Sequence, residues 1–469
     1  MKRWLLLILI TLTLAGCAHF ESQPLSPATA AAKLEARRLD DAGLKSFLEQ
    51  NLGHKWTNWP LPSWDLSTLT LAAFYFQPDL EVARAQWRVT LAGVKTAGGR
   101  PNPTLSVSPT YNTTTLVPSP WSPGVNLDIP LETMGKRGKR IAEASQLSES
   151  ARLNIITTAW QIRGNVRTSL LDFKLSERRA GLLENQFAAQ QQIVKLLQQR
   201  FDAGEISRPE LTTAQIALNR TQLDRADAQS KRADARSRLA EAIGLSSAAL
   251  AEIEVIFDFS VKDVLELTSA QARRIALQSR SDILAALSDY IATEVELRLQ
   301  IAKQYPDVHL SPGYQFDQGD NKWSLGITVE LPLLNQNQGP IAEAKAQRGL
   351  SAAKFTALQA QVIGEIDRAV AGLGVAREQL QTGNSLLAAQ QQQQQSAQAQ
   401  LAAGASDQLD LLNARLEFDN TSLVQLDGEA QLQRALGALE AALQRPTAAI
   451  SASLEKTLSE NPQAKNIQP

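Results

Sequence analysis

Phe201-Asp202-Ala203-Gly204-Glu205-Ile206-Ser207 and Leu401-Ala402-Ala403-Gly404-Ala405-Ser406-Asp407 each stop a long stretch that contains no proline. The two stretches, 139–203 and 341–403, are 65 and 63 residues long. As single helices they reach about 98 and 95 Å at 1.5 Å per residue. Gly just past a helix end takes the left-handed turn that stops it. Ser207-Arg208-Pro209-Glu210 then reads as a capping box with proline tolerated in the first turn. Ser406 or Asp407 can cap the second partner. Each stretch therefore folds back as a tight helical hairpin. Gly204, Glu205 and Ser207 mark one tip and Gly404, Ala405 and Asp407 the other. A tip that has nothing else to pack on is expected to be either frayed or docked on a partner.

The chain repeats itself once. Pro103 and Pro306, Pro130 and Pro332, Gly138 and Gly339, and Gly204 and Gly404 are offset by 203, 202, 201 and 200 residues. That unit is far longer than a solenoid repeat. Each half carries two stretches of period-2 alternation. The first has Leu105, Val107, Tyr111, Val125, Leu127 and Ile129 against Ser106, Ser108, Asn126 and Asp128. The second has Val308, Leu310, Tyr314, Trp323, Leu325 and Ile327 against His309, Ser311, Gln315 and Thr328. A soluble hairpin with one buried face and a membrane-barrel strand share this pattern. Four strands cannot close a lipid-spanning barrel, so the membrane reading requires several copies sharing one barrel.

Shorter helices are expected at 71–98, 209–243, 281–303 and 407–443. Stacked end to end in pairs they total 63 and 60 residues, matching one long helix in each half. Segment 244–280 is left for a layer midway along the cylinder. In the last helix, Leu409, Leu412, Leu416, Asp419, Leu423, Leu426, Ala430, Gln433 and Gly437 step by three and four, as a coiled-coil seam does. The run Gln390 to Gln395 sits inside an unbroken helical pattern and reads as a wetted helix face.

Lys2 and Arg3, an apolar run from Trp4 to Leu14, and Leu14-Ala15-Gly16-Cys17 resemble a lipoprotein signal. Residues 1–16 are the expected signal peptide and Cys17 the acyl acceptor. Cys17 is the only cysteine in 469 residues, so no disulfide is available. Three His and two Met are scattered, which leaves no metal site. The net charge of −1 argues against a nucleic-acid partner. No nucleophile–base grouping or phosphate loop is present, so neither catalytic residues nor a cofactor is expected.

The order of lipobox, duplicated strands, Ile129-Pro130-Leu131 and Leu331-Pro332-Leu333, long helices and tips resembles the TolC family of outer-membrane efflux channels. The stretch Gly404 to Ala414 is similar to that family's second tip motif. The resemblance implies an α+β membrane protein: a long antiparallel α-helical barrel continuous with a β-barrel shared between three protomers, four strands per chain. It implies a homotrimer anchored to outer-membrane lipid. A periplasmic adaptor meets its tips, and an inner-membrane pump of the RND type supplies the cargo. It also implies an acidic ring at the periplasmic entrance. Asp410 matches the first acid, Asn413 stands where a second acid often occurs, and Ser406 stands where a basic latch residue occurs in some members.

The basic run Gly135-Lys136-Arg137-Gly138-Lys139-Arg140 is similar to the heavy-metal, CzcC-like branch. Equally, it reads as a junction serving anionic headgroups or helix solvation. The resulting organisation is a signal peptide at 1–16, an anchored extension at 17–70 and a first repeat at 71–243. An equatorial segment follows at 244–280, then a second repeat at 281–444 and a flexible tail at 445–469. Type I secretion and a lipid-anchored periplasmic coiled-coil scaffold without a pore remain as alternatives.

Overall fold

The computed structural model describes residues 19–113, 119–251, 253–259 and 268–445. The signal peptide, Cys17 and nearly all of the tail lie outside the described residues.

The first of the two long helices, α5 (Lys136–Asp202), has 67 residues. Its counterpart, α9 (Gln338–Ala402), has 65. Both start three residues earlier than the sequence pattern suggests. The chain leaves the sheet through a left-handed residue, Gly135 (φ 64°) or Asn337 (φ 62°), and helix follows at once. Gly138 and Gly339 therefore sit inside the first turn. The glutamine run lies within α9.

The expected helix 71–98 is two helices, α3 (Leu66–Phe76) and α4 (Pro78–Ala97). Pro78 has no N–H to continue the ladder, and the residue before a proline is pushed out of the α region. Gln77 is accordingly extended (φ −68°, ψ 122°). The second half has the same joint. There α7 (Ser269–Ser279) meets α8 (Ser281–Ala302) at the extended Arg280. Each of α3 and α7 has 11 residues and a capping box, from Asp65 and Thr268. The two helices stand at the same offset of 203 as the prolines, so the duplication includes them.

The remaining wall helices are α6 (Arg208–Ile243) and α10 (Gln408–Leu443). They run collinear with α4 and α8. Gln77 Nε2 donates to Glu241 O and Ala242 O at 2.7 and 2.9 Å, closing the end of α6 against the start of α4. Arg280 Nη1 donates to Ala442 O at 2.9 Å, and Ser281 N donates to Gln444 Oε1 at 2.8 Å, closing α10 against α8. The last carbonyls of a helix lack intrahelical partners, and these donors supply them. The result is a four-track wall in the order α4/α6, α5, α8/α10, α9.

Each inner track buries two seams. On α10, Leu412 packs with Ala189 and Ile193 of α5, and Leu426 and Ala430 pack with Leu171 and Leu175. On its other side Leu432, Leu436 and Leu439 pack with Val362, Ile366 and Leu373 of α9.

The anchored extension does more than tether. It contributes α1 (Pro27–Glu35), α2 (Ala42–Leu52) and β1 (Ser63–Trp64). Leu39, Leu44, Leu48 and Trp64 are fully buried with α3 against Ile162, Val166 and Leu170 of α5. Each such side chain is worth roughly 1.5–3 kcal/mol on burial. Strand β1 pairs in parallel with β4 (Glu254–Val255), bringing the extension and the segment after α6 into one equatorial layer.

Four antiparallel strands form one sheet in the order β2 (Thr104–Tyr111), β3 (Trp121–Leu131), β5 (Val308–Asp317), β6 (Asp320–Val329). One face is apolar and exposed, with Leu105, Val107, Trp323, Leu325 and Ile327 between 63% and 81% exposed. The other face is polar. Asp128 accepts from Ser311 Oγ at 3.1 Å and lies 2.9 Å from His309 Nδ1. The cross-strand pairs Tyr111–Trp121 and Tyr314–Trp323 both have ring centroids 4.9 Å apart at the loop end of the sheet. Pro130 lies within β3, whereas Pro332 follows the end of β6, so the two Pro motifs are not structurally equivalent. Among the described residues no helix is long and apolar enough to cross a membrane.

Candidate functional site

At the end of the wall away from the sheet the two hairpins turn side by side. Gly204 (φ 79°) and Gly404 (φ 70°) take the left-handed turn. Glu205 N donates to Arg200 O at 2.8 Å and Gly204 N to Phe201 O at 2.9 Å. Ala405 N donates to Gln400 O and Gly404 N to Leu401 O at 2.9 and 3.0 Å. Both tips are therefore Schellman turns, which satisfy the last carbonyls without any outside partner.

The helices that follow are capped differently. Glu210 Oε2 accepts from Ser207 N at 2.8 Å and from Ser207 Oγ at 3.1 Å. In the second tip Asp407, not Ser406, is the cap. Asp410 N donates to Asp407 Oδ1 at 3.0 Å, and Asp407 N lies 3.4 Å from Asp410 Oδ2. Asp410 thus has local work in the capping box. Ser406 is half-buried, and its Oγ has no partner among the described residues.

The sequence reading missed Arg200. Its Nη2 donates to Asp407 Oδ2 at 2.6 Å, joining the two tips. This hydrogen bond, followed by the Asp410 N–H, holds the Asp407 carboxyl below the usual carboxylate range. The same bond pushes the Arg200 guanidinium up, with Glu205 and Asp410 adding to the field. A signal was available: Arg200 stands four residues before Gly204, where the second hairpin has Gln400 before Gly404.

Asp410, Asn413, Glu417 and Val424 are exposed along one stripe of α10, between its α5-facing and α9-facing seams. The structure therefore places Asp410 and Asn413 on one open face of the wall, and Ser406 apart from them in the turn.

The basic run lies at the opposite end, where sheet meets helix. Of its cations Lys136 is buried and Arg137, Lys139 and Arg140 are half-buried. Lys136 Nζ donates to Tyr305 O at 2.7 Å and to Asp307 Oδ1 at 2.8 Å. Arg137 Nε donates to Gly98 O at 2.6 Å, Lys139 Nζ to Met134 O at 2.6 Å, and Arg140 pairs with Glu132. Cations at helix C-terminal carbonyls are favourable. Here Arg137 and Arg140 pin the end of α4, and Lys136 the end of α8, to the start of α5. These contacts make the run a joint between sheet and helix wall. In the second half Asn337 does the equivalent work alone, with Nδ2 donating to Gln300 O at 2.7 Å.

Comparison with known proteins agrees with this architecture. The family described as Outer membrane efflux protein matches residues 76–245 and 272–444. The prokaryotic membrane lipoprotein lipid attachment site matches residues 1–18. A curated relative is the cobalt-zinc-cadmium resistance protein CzcC of Cupriavidus metallidurans, 24% identical over 343 residues, covering 72% of this chain and 79% of that protein. Among solved structures, VceC of Vibrio cholerae superposes with a TM-score of 0.67 at 19% identity, covering 82% of this chain and 97% of that one. The Campylobacter jejuni CmeC channel gives 0.68 at 15% identity, covering 95% and 98%. CusC gives 0.65 at 19%, covering 91% and 99%. The chain belongs to the outer membrane efflux protein family and is a lipid-anchored protein of the outer membrane that extends into the periplasm.

Proposed function

We propose that three copies of this chain close into one exit duct that passively releases substrate from a tripartite efflux system. One observation carries the reading: the open edges of sheet and wall coincide. Among the described residues strand β2 is an unpaired sheet edge and continues from α4; strand β6 is the other and leads into α9. The α4/α6 track exposes Val82, Val89, Ile216 and Leu223, and α9 exposes Leu350, Val375 and Leu386. An edge with unpaired backbone cannot face hydrocarbon, so β2 of one copy must pair with β6 of the next. A head-to-tail contact of this kind forms a ring when its rotation closes, here after three copies. The apolar sheet face then meets lipid and the polar face lines water.

In that ring Asp410 supplies the acidic entrance, with Asn413 beside it and Ser406 in the turn. The tips at Gly204, Glu205, Ser207, Gly404, Ala405 and Asp407 dock a periplasmic adaptor. An RND-type inner-membrane pump delivers the substrate, and Cys17 carries the lipid. Similarity to a cobalt-zinc-cadmium resistance protein favours heavy-metal ions as cargo.

Two measurements test the reading. Purified protein should run as a heat-resistant trimer and form discrete conductance steps in planar bilayers. Monomers without conductance would instead support a lipid-anchored scaffold. Expression with a zinc adaptor and pump in a strain lacking its own channel should restore zinc and cadmium tolerance; unrestored tolerance beside intact conductance would exclude the metal cargo and leave the duct.

A further inference from the structure

Near the equatorial layer, α5 buries more positive charge than α10 neutralises. Arg163 and Arg167 are 6% and 9% exposed, and the carboxylate they share, Glu440, is 7% exposed. Arg167 is fully engaged. Its Nη1 donates to Gln433 O at 2.7 Å and its Nη2 to Gln433 Oε1 at 3.1 Å, while Nε lies 3.3 Å from Glu440. Arg163 is not. Its Nη2 reaches Glu440 only at 3.4 and 3.5 Å, and its Nε is buried with no acceptor among the described residues.

A cavity of about 330 Å³ opens at this point, lined by Trp160, Arg163, Gly164, Arg167, Leu171 and Gly437 among others. A third guanidinium on its wall, Arg434, is already paired with Asp172 at 2.9 Å. The volume falls within the range of small-molecule sites. The two glycines shape it. A Cβ on Gly437 would collide with Arg167, whereas a Cβ on Gly164 would meet nothing within 4 Å, so the Gly164 side is open.

We infer that this cavity binds a small organic monoanion, a carboxylate carried on an apolar body. Among the described residues that line the cavity, the guanidinium groups of Arg163 and Arg167 share the one carboxylate of Glu440, and this surplus sets the charge of the ligand, because an uncompensated buried charge is costly. The planar donor fork of Arg163 suits a carboxylate. Trp160, which already stacks on Arg163 with the guanidinium 5.9 Å from its ring centroid, and Leu171 suit the apolar body. The cavity lies between α5 and α10 beside the equatorial segment, whose Phe257 packs on Leu171 and lies under the Arg167 guanidinium, 5.8 Å from the ring centroid.

The probe is 4-bromobenzoate, with neutral 4-bromobenzamide as control, titrated calorimetrically into the full chain in detergent. The expected result is saturable binding at one site per chain, at least tenfold weaker in Arg163→Met, and bromine anomalous density beside Arg163 in crystals. Gly164→Leu leaves the charges in place and fills the open side, so it should also abolish binding if the cavity is the site. Absence of saturable binding, equal binding of the amide, or binding unchanged in both variants would overturn the inference. Each outcome is independent of conductance, so failure here leaves the duct reading intact.

Discussion

Arg200, in the last turn of α5, donates to Asp407, the N-cap of α10, at 2.6 Å, and so ties the turn of one hairpin to the start of the other within a single chain. The other contacts between α5 and α10 lie further up the wall, in the apolar seams and in polar pairs such as Gln186–Asn420, Arg178–Glu429 and Arg434–Asp172. A polar tie at the tip can break and reform without disturbing those seams. Both partners are over a third exposed, so the pair adds little to overall stability. We expect Arg200→Ala to leave the melting temperature within about 2 °C of the parent while raising mean conductance in planar bilayers. Unchanged conductance would deny the pair any part in holding the tips together.

Asp410 has two separable roles to test. As N3 of the capping box it supports α10, and as an exposed acid on the open stripe it is the candidate entrance charge. Asp410→Ala is expected to cost about 0.5–1 kcal/mol locally and to weaken block by divalent cations. Asp410→Asn keeps the size and removes the charge, so it should weaken block equally. Block that survives both substitutions would remove Asp410 from the gate.

Gly204 and Gly404 test docking. Valine at φ 79° or 70° is strained by the Cβ, at about 1–2 kcal/mol. The tips pack on little else, so Gly204→Val and Gly404→Val should still trimerise with wild-type conductance. Crosslinking to the adaptor should fall several-fold. Full adaptor capture by both variants would place docking elsewhere.

Glu143 on α5 predicts a pH dependence. Burial, and then the neighbouring Glu296 carboxyl of α8, push it up to about 7. The folded value lies above the unfolded one, so folding favours the protonated form. That contribution is full below about pH 4.5 and is lost as pH rises through about 7. Glu143→Gln should therefore raise the melting temperature at pH 8 and have a smaller effect at pH 5. A shift of equal size at both pH values would contradict the assignment.

Lys136 tests the joint between sheet and wall. It is 8% exposed in its side chain and bridges Asp307 and Tyr305 O. Lys136→Met leaves both acceptors short of a donor and should cost about 1–3 kcal/mol, read as a lower trimer dissociation temperature. Asn337→Ala, at the equivalent but lighter joint, should cost less. The reverse order would show that the basic run is not the main fastening.

Much of this molecule was legible in one dimension, because its main signals are periodic or local. Proline-free stretches, period-2 alternation, helix-stopping glycines and a constant offset are properties of neighbouring residues. They sufficed for four strands, two long helices, two tips and the duplication. Even the α10 seam could be read: Leu412, Leu426, Ala430 and Gln433 are buried as the three–four spacing requires. What failed locally failed at sharp events. The break at Gln77-Pro78 lay inside a continuing apolar pattern, and the left-handed Gly135 let α5 begin within the basic run.

Tertiary structure decided whatever depended on residues far apart in the chain. Arg200 and Asp407 are 207 residues apart, and no pattern in either hairpin says they meet. The basic run reads as a branch motif or a junction, and which groups its cations hold is settled only when the carbonyl ends of α4 and α8 are brought to it. The extension at 17–70 reads as a tether until Trp64 is seen sealed against β4 and α5. The buried imbalance of Arg163, Arg167 and Glu440 is invisible in a chain whose net charge is −1. Periodicity determines which elements form and which faces they bury. The pairing of single polar groups across the wall depends on register and on the helix ends, and those exist only once the tracks have packed.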